Sequence, residues 1–280
     1  MTLIDAISAA GLQPPHSIAP GRWMRFPGIG KGKSNRAGWC RMITPTLAIF
    51  GDWSSGVSVT WRDDAHQDDE KSRRLLLEAR WREERFAVEQ RKRQEGAAFA
   101  AVRLIQRATV SAHPYLTRKG FENREGLVAD GKLVIPIRDV NDYSHVISVQ
   151  LIAENGEKRF LTGGRTRGGI HRLGSSAPRK TVLCEGYATA LSLDSALSKL
   201  PGPHAVIACF SSNNLEHVAA KFPGAFICAD NDRSATGENA AIRTGLKWTM
   251  PYEVGTDFND LHASMGLHVV VERMREVFNG

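Results

Sequence analysis

The last third of the chain alternates between short apolar runs and longer segments with helical periodicity. The apolar runs have the length and composition of buried strands, and they cover 181–184, 205–210 and 225–229. The helical segments that follow them cover 188–200, 215–221 and 238–247. Strands that alternate with helices favour a parallel sheet with helices on its faces. We therefore predict an α/β domain over residues 178–280.

Residues 113–177 show a different pattern, in which short β-prone runs are separated by turn residues. The predicted strands cover 132–137, 146–152 and 158–161. Asn141-Asp142 and Asn155-Gly156 lie between these strands, and such pairs are typical of hairpin turns. We predict a β-rich region here, ahead of the α/β domain.

A glycine-rich segment, 163–169, follows the last of these strands and contains Arg165 and Arg167. Arg172 comes shortly after it. Backbone amides and guanidinium groups together suit phosphate contacts. We predict a mobile cationic loop that binds phosphate, with an ordinary loop as the alternative.

Residues 64–108 lack proline and carry one glycine, Gly96, so they predict one or two long helices. Pairs of opposite charge four residues apart support a helix, and they are Glu70–Arg74, Glu78–Arg82 and Glu89–Arg93. No apolar heptad is sustained, so a coiled coil is not indicated. We predict a solvated, charged helical connector over 63–112, with a basic face that contacts nucleic acid as the alternative.

Residues 1–62 predict a small α+β unit. A short helix is expected over 4–10, and strands are expected over 46–50 and 57–61 with turn residues between them. The basic, glycine-rich loop 28–35 does not have the spacing of a nucleotide-binding GxxxxGK[ST] loop, so we reject that kind of site. Phosphate contact by an exposed loop is the alternative to an ordinary turn.

Acidic side chains occur where the predicted parallel strands end. Glu185 follows the first strand, Asp230 and Asp232 follow the third, and Asp257 and Asp260 come further along. Because the carboxyl ends of parallel strands share one edge, we expect these groups to converge. Neighbouring carboxylates raise one another's pKa unless a cation is present. Mg²⁺ prefers oxygen ligands and bridges to phosphates, which points to phosphoryl or nucleotidyl transfer.

Each acidic position also has an ordinary structural explanation when it is taken alone. Glu185 could be a favourable charge at the start of a helix, and Asp257 could cap one. The ordered set, a glutamate at one strand end and two aspartates at another, is what favours a metal site.

Charge is unevenly distributed along the chain. Residues 178–280 carry 9 Lys and Arg against 11 Asp and Glu, whereas residues 1–177 carry 28 against 19. A basic region beside a region with many carboxylates suits the binding of a polyanion at a metal site. The alternative is that the surface charge only keeps the protein soluble.

The remaining composition excludes several classes. Four cysteines, Cys40, Cys184, Cys209 and Cys228, are far apart in sequence, so we expect buried thiols and no zinc site. No apolar run reaches about 18 residues, and the first residues lack the pattern of a secretory signal. We therefore expect a cytoplasmic protein without a membrane partner.

The acidic positions and their flanking residues resemble the Toprim domain that bacterial-type primases, topoisomerases and some nucleases share. The likeness rests on VLCEGYATA at 182–190 and ICADND at 227–232. It is closest to the Toprim primases of phages and plasmids, and it covers most of the chain. The segments that carry it there are FGDW (50–53), the charged helix, HPYL (113–116), LVIP (133–136), KRFL (158–161) and DFNDL (257–261). We expect neither the zinc ribbon nor the helicase domain that often flank this region in relatives.

The resemblance implies a role for each matching residue. Glu185 matches the general acid/base, and Asp230 and Asp232 match the aspartates that bind Mg²⁺. The implied metal ligands are Glu185, Asp230, Asp232, Asp257 and Asp260. Two Mg²⁺ ions are implied, with Mn²⁺ as the alternative. The candidate contacts to nucleic acid and nucleotides are Lys158, Arg159, Arg165, Arg167 and Arg172.

The leading hypothesis is a DNA primase, a nucleotidyltransferase that makes short primers on single-stranded DNA during phage or plasmid replication. Its expected partners are the template, NTPs and a replicative helicase on a separate chain. A metal-dependent Toprim nuclease is the first alternative, and the primase-like segments before residue 178 argue against it. A non-catalytic, nucleic-acid-binding replication accessory is the second, and the retained acidic residues argue against that.

Overall fold

The computed structural model describes residues 1–63 and 70–279. Contacts divide the chain into two compact units, Met1–Val88 and Glu89–Gly280, and each is described by itself. The predicted Glu70–Arg74 pair lies outside the described side chains, whereas Glu78 Oε2 and Arg82 Nη2 are 3.6 Å apart. Within the described residues, no helix is long and apolar enough to cross a membrane.

The first unit combines a short helix with an antiparallel sheet in the order β1-β2-β3-β4. Its elements are α1 (Leu3–Ala9), β1 (Trp23–Phe26), β2 (Gly38–Thr44), β3 (Leu47–Asp52) and β4 (Val57–Arg62). Thr2 and Asp5 form a capping box that starts α1. One face of the sheet, with Cys40 and Phe50, packs on Ile7 of α1. The apolar pattern predicted β3 and β4 but not β1 and β2.

The charged connector is a single helix, α2 (Glu70–Arg107), of 38 residues. Its first part belongs to the first unit and its last part to the second. In the second unit, Ala101 is fully buried in a core with Val134 and Val149. Small side chains on this face let the helix backbone approach the sheet closely.

The second unit is built, in its described residues, on one sheet of ten strands. The strands are β5 (Thr109–Ala112), β6 (Glu125–Ala129), β7 (Lys132–Asp139), β8 (Val146–Ile152), β9 (Lys158–Phe160), β10 (Gly169–Gly174), β11 (Lys180–Cys184), β12 (His204–Ala208), β13 (Phe226–Cys228) and β14 (Trp248–Thr249). The helices are α3 (Pro114–Arg118), α4 (Tyr187–Leu197), α5 (Ser212–Ala219), α6 (Thr236–Thr244), α7 (Phe258–Met265) and α8 (Leu267–Asn279). The strand order is β14-β13-β11-β12-β10-β7-β6-β5, with β8 beside β7 and β9 beside β8.

Strands β11 to β14 pair in parallel register, which confirms the predicted fold class. Alternate residues point to opposite faces of a strand. Val182 and Cys184 therefore pack with α4 and α8, whereas Leu183 and Ile207 pack with α5 and α6. All four cysteines are buried free thiols. Helices cover both faces, and the carboxyl ends of these strands share one edge.

Strand β10 joins the parallel strands to the β-rich region. It pairs antiparallel with β12 on one side and with β7 on the other. The hairpins β7–β8 and β8–β9 form as predicted, but their turn hydrogen bonds close over 142–145 and 153–156, so the predicted pairs 141–142 and 155–156 only overlap the turns. The loop predicted over 163–169 ends sooner than expected, because Gly169 already pairs with Asp139. One sheet thus spans residues 113–177 and 178–280, and domain boundaries at 62/63, 112/113 and 177/178 stay predictions.

Candidate active site

The structure brings the predicted acidic side chains to one edge of the sheet. Glu185 follows β11, and Asp230 and Asp232 follow β13, the adjacent parallel strand. Asp257 starts α7, which follows β14 on the far side of β13. The negative charges of Asp257, Glu185 and Asp232 all act on Asp230. Four carboxylates from three sequence segments therefore share one electrostatic environment.

Asp230 lies in an environment that disfavours the ionised form of its carboxylate. Its Oδ1 is buried and has no hydrogen-bond partner among the described residues. Burial, then the charges of Asp257 and Glu185, raise its pKa to about 7, and Lys158 acts in the opposite direction. A buried polar atom without a partner is costly, so it is an unusual feature of a folded protein.

Glu185 and Asp232 have contrasting environments although they lie at the same edge. Burial raises the pKa of Glu185, and the charge of Asp232 raises it further. The pKa of Asp232 is lowered, first by a hydrogen bond from the Ser234 hydroxyl. Asp232 also accepts hydrogen bonds at 3.2 Å from the backbone N–H groups of Thr236 and Gly237. The N-terminus of α6 thus stabilises the ionised form of Asp232. For Glu185, a backbone hydrogen bond from Ser212 lowers the pKa but does not outweigh burial and the charge of Asp232.

Asp257 and Asp260 form the capping box of α7. Asp257 Oδ1 accepts hydrogen bonds from the backbone of Asn259 (2.6 Å) and Asp260 (2.9 Å). Its Oδ2 accepts one from the Thr189 hydroxyl at 3.1 Å. Asp260 Oδ2 accepts from the Asp257 backbone, and its Oδ1 lies 3.6 Å from Lys119 Nζ. These carboxylates are occupied in structural contacts, and their role as metal or nucleotide ligands stays a prediction.

Two residues that the sequence analysis did not single out shape the edge. The backbone N–H of Asn231 donates to the Thr256 carbonyl at 3.0 Å, which ties the loop after β13 to the segment before Asp257. A Cβ atom on Gly237 would lie 2.6 Å from the Asp230 carbonyl oxygen and 3.1 Å from Glu185 Oε1. The sequence signal for Gly237 was its position in the first turn of the helix that follows Asp230 and Asp232.

Lys158 is the predicted cation that acts on the acidic group. Its charge interacts with Asp257 and Asp230, and its Nζ lies 6.0 Å from the centre of the Tyr115 ring. Loss of hydration, then the charge of Lys119, lowers the pKa of Lys158, although the residue as a whole remains exposed. Tyr115 is buried, and its hydroxyl has no hydrogen-bond partner among the described residues. The HPYL segment therefore borders the site.

The four predicted arginines contact other parts of the second unit. Their partners are Glu157 for Arg159, Asp139 for Arg165, His217 for Arg167 and the Tyr143 ring for Arg172. The end of the glycine-rich segment is anchored by buried Asn214, which accepts from the Gly168 N–H and donates to the Gly169 carbonyl. The mobility predicted for the rest of this segment stays a prediction. Contact of these arginines with nucleic acid stays a prediction.

The oxygen-rich edge suits a hard divalent cation. Asp230 Oδ1 offers a buried lone pair without a donor, and Glu185 adds a second carboxylate whose pKa is raised by burial and by the charge of Asp232. Both oxygens of Asp232 accept hydrogen bonds, so an ion would compete with those donors. In the described part of the chain, no three His, Cys, Asp or Glu side chains are already arranged to hold an ion. The residues fit a cation if Asp232 reorients toward it.

Comparison with known proteins gives matches in sequence and in structure. The Toprim domain family matches residues 180–267. Two Escherichia coli proteins named DNA primase TraC are 33% and 32% identical over 258 and 236 residues, which cover 82% and 78% of this chain. The chain spans 17% and 22% of the length of these relatives.

Solved primase structures also match, at 15% identity. The primase fragment of the bacteriophage T7 primase-helicase protein matches 53% of this chain and 65% of its own, with a TM-score of 0.40. The DnaG primase catalytic domain bound to ssDNA matches 66% and 70%, with a TM-score of 0.38. The sequence matches agree with the parallel sheet and its acidic edge: residues 180–267 match the Toprim domain family, and the chain is similar to the TraC DNA primases over 82% of its length.

Proposed function

We propose that this chain is a DNA primase, a metal-dependent nucleotidyltransferase that makes short primers on single-stranded DNA. Sequence similarity to DNA primase TraC over 82% of the chain supports this assignment. The similarity extends well before the Toprim domain, so it includes the β-rich region. That extent favours a primase over other enzymes that use a Toprim domain.

The single observation that carries the chemistry is the unpartnered, buried Oδ1 of Asp230. Its carboxylate has a pKa raised to about 7 by burial and by Asp257 and Glu185. Such a group is ionised at low cost only when a cation lies beside it. This supports a site that is completed by a bound cation.

We propose Mg²⁺ as that cation, with two ions in the working site and Mn²⁺ able to replace them. Asp230, Glu185 and Asp232 would hold them, and Asp257 and Asp260 would assist by their charge. A divalent ion at this edge would neutralise nucleotide phosphates and favour ionisation of an attacking hydroxyl.

The side chains of the edge would act on the reacting groups directly. The Glu185 carboxylate would accept the proton of the primer 3′ hydroxyl. The hydroxyl oxygen would then bond to the α-phosphorus of the incoming nucleotide as the bond from that phosphorus to pyrophosphate breaks. Its raised pKa suits a group that exchanges a proton near neutral pH. Lys158 would stabilise negative charge on the nucleotide phosphates. Arg159, Arg165, Arg167 and Arg172 would contact the template or the incoming NTPs.

Primer synthesis on single-stranded templates tests the proposal. Labelled rNTPs or dNTPs are supplied with a panel of templates and MgCl₂, and the products are resolved on a sequencing gel. We expect short products with the wild type and at least a roughly 100-fold loss with Asp230→Asn, which keeps the shape of the side chain but removes its charge. Asp194→Asn is the control, because Asp194 pairs with Arg124 and His204 away from the acidic edge.

Equal synthesis by wild type and Asp230→Asn would remove the metal assignment. Cleavage of the template without any primer synthesis would favour the nuclease alternative. Titration calorimetry with MgCl₂ or MnCl₂ in the presence of nucleotide separates both from a non-catalytic accessory, which would bind DNA but not the ion. A replicative helicase on a separate chain remains a proposed partner, to be tested by co-purification.

A further inference from the structure

One face of the sheet in the first unit carries aromatic and cationic side chains. Residues that pair across antiparallel strands point to the same face. Trp23 pairs with Arg41, Arg25 pairs with Trp39, and Trp39 pairs with Gly51. The opposite face packs on α1, so these residues lie on the outer face. We call Trp23, Arg25, Trp39, Arg41 and Trp53 the tryptophan face.

Three tryptophans form a continuous row on this face. The ring centres of Trp23 and Trp39 are 5.4 Å apart, and those of Trp39 and Trp53 are 5.1 Å apart with the rings nearly stacked. Trp39 is buried in the middle, whereas Trp23 and Trp53 are 49% and 58% exposed. The row therefore ends in two large open rings, a rare arrangement for a residue type that is usually well buried.

The sequence provides the space that this row needs. A Cβ atom on Gly51 would lie 2.8 Å from the Trp39 ring and 2.0 Å from the Val57 carbonyl oxygen. Glycine at this position lets the Trp39 ring lie flat against the sheet. An open groove of about 700 Å³ runs along the row, and Phe86 of α2 adds a further exposed ring to its lining. That volume is within the range of ligand-binding clefts.

Arginines flank the rings at both ends of the row. The Arg41 guanidinium lies 5.7 Å from the Trp23 ring centre, and that of Arg25 lies 5.7 Å from the Trp53 ring centre. Residues 1–62 carry seven Lys and Arg against two Asp. The Asp5 carboxylate is occupied in the capping box of α1, and that of Asp52 accepts from Ile29 and Ser54. The charge left for a ligand on this face is positive.

One buried donor on the tryptophan face has no acceptor. Only 5% of Trp39 is exposed to solvent. Its Nε1–H has no hydrogen-bond partner among the described residues. Trp39 also lines the groove. A ligand that carries hydrogen-bond acceptors would satisfy this donor.

We propose that the tryptophan face is a binding site for single-stranded nucleic acid, separate from the acidic edge and independent of the activity proposed for it. Unpaired bases would stack on Trp23 and Trp53, and the strand phosphates would lie against Arg25 and Arg41. Stacking on aromatic rings beside cationic side chains is how non-specific single-strand binding is achieved in general. Duplex DNA does not fit, because its bases cannot reach the rings.

Charge decides between a nucleic acid and the other common occupant of a tryptophan groove, a proline-rich peptide. Such a peptide needs aromatic rings but no cluster of cations. The two arginines over the rings and the surplus of basic residues in 1–62 match a polyanion. The unpaired Nε1–H of Trp39 agrees with either occupant, so the argument for nucleic acid rests on the arginines.

Fluorescence anisotropy of the full chain with a labelled oligo-dT of about 12 nucleotides tests the site. EDTA is present throughout, so that metals at the acidic edge do not contribute. We expect Trp53→Ala and Trp23→Ala each to weaken binding roughly ten-fold, and Trp53→Phe to keep most of the affinity. Arg25→Gln should weaken binding and also flatten its dependence on salt. An oligo-rU of the same length should bind similarly, since stacking does not require deoxyribose.

Trp81→Ala is the matched control, because Trp81 is 66% exposed but lies outside the tryptophan face. Thermal melting must show that each variant is folded, and the exposed positions of Trp23 and Trp53 make this the expected result. The proposal is overturned if both variants bind like Trp81→Ala. It is also overturned if duplex DNA binds as tightly as the single strand, or if a proline-rich peptide binds in a Trp53-dependent way and oligo-dT does not.

Discussion

The two units treat buried carboxylates in opposite ways. In the first unit, Asp52 is almost fully buried, and its oxygens accept hydrogen bonds from the Ile29 and Ser54 backbone and from the Ser54 hydroxyl. In the second unit, Asp230 has a buried oxygen without any donor in the described residues. Asp52 is therefore satisfied by folding itself, whereas Asp230 is left for something that binds after folding.

The same contrast extends to the cations. The tryptophan face carries Arg25 and Arg41 over open rings, in a segment whose two carboxylates are already occupied. The acidic edge carries four interacting carboxylates, and Lys158 is a cation that acts on Asp230. The tryptophan face therefore has positive charge that an anion would balance, and the acidic edge has negative charge that a cation would balance. A single-stranded template supplies the negative charge for the first surface, and a divalent metal ion supplies the positive charge for the second.

Exchange of one side chain in each region should separate chemistry from template binding. We expect Glu185→Gln to lower the rate of primer synthesis at saturating template by about 100-fold or more, the usual effect of losing a general acid/base. Trp53→Ala should leave that rate near the wild-type value and raise the template concentration needed to reach it. Template titrations under steady-state conditions measure both. Glu216→Gln, which alters an exposed pair with Arg243, is the control for Glu185→Gln.

A rate defect at saturating template in Trp53→Ala, equal to that of Glu185→Gln, would break the comparison. It would mean that the tryptophan face takes part in the chemical step. A Glu185→Gln variant that needs more template but keeps the wild-type rate at saturation would also contradict the comparison, because Glu185 would then act in template binding.

The substitution Asp→Asn should have opposite effects on stability in the two units. Asp52→Asn weakens a buried acceptor of three hydrogen bonds, so we expect the metal-free chain to lose about 2 kcal/mol of unfolding free energy. Asp230→Asn removes a charge that burial and its neighbours disfavour, so we expect a gain of about 1–2 kcal/mol at pH 8. Urea unfolding in EDTA measures both. A loss of stability in Asp230→Asn would show that the Asp230 charge is satisfied without a metal.

The pH dependence of these two effects should also differ in sign. The pKa of Asp230 is raised from 3.8 to about 7, so its stabilising contribution is present below about pH 4 and is lost as pH rises through 7. Burial opposes ionisation of Asp52, but hydrogen bonds from Ser54 and Ile29 outweigh it and lower its pKa. Its contribution is present above about pH 4 and is lost as pH falls further. The advantage of Asp230→Asn should therefore grow between pH 4 and 7, and the cost of Asp52→Asn should shrink in acid.

The sequence predicted the parallel strands because three of the four are continuous apolar runs that helical segments separate. From the order of those strands, the meeting of Glu185 with Asp230 and Asp232 also followed. β14 has only two residues, and β10 begins in a glycine-rich segment, so neither has an apolar pattern that would identify it. Both become strands through pairing with neighbours that are distant in sequence.

The unpartnered state of Asp230 and the row of tryptophans could not be predicted either, because both depend on contacts between segments that are distant in sequence. Whether a carboxylate has a donor depends on which loops surround it after folding. Trp23, Trp39 and Trp53 are 16 and 14 residues apart, and only the register of β1, β2 and β3 aligns them. Asp257 shows the reverse case, since a helix cap was already the alternative to a metal ligand in the sequence, and the structure shows that cap.

Neighbouring cations on β9 should differ in their effect on primer synthesis. Lys158 acts on Asp257 and Asp230, whereas Arg159 pairs with Glu157 at 2.7 Å on an exposed part of the strand. We expect Lys158→Ala to lower the rate by about ten-fold, the order of one charge contact to a developing phosphate charge. Arg159→Ala should cost less than about two-fold in the rate at saturating template, because the loss of a template contact lowers affinity rather than the rate of the chemical step. Equal losses would indicate that both residues only bind template.

The smallest effect should come from adding one carbon atom beside the acidic edge. A Cβ on Gly237 would meet the Asp230 carbonyl oxygen at 2.6 Å and Glu185 Oε1 at 3.1 Å, so α6 or the loop after β13 must shift. We expect Gly237→Ala to lower the rate about three- to five-fold, since small displacements of catalytic groups are costly. Gly224→Ala is the matched control, because a Cβ there meets no atom within 4 Å. Helix propensity favours alanine within α6, so an unchanged or higher melting temperature with a slower rate would assign the defect to the position of Glu185 and Asp230 rather than to folding.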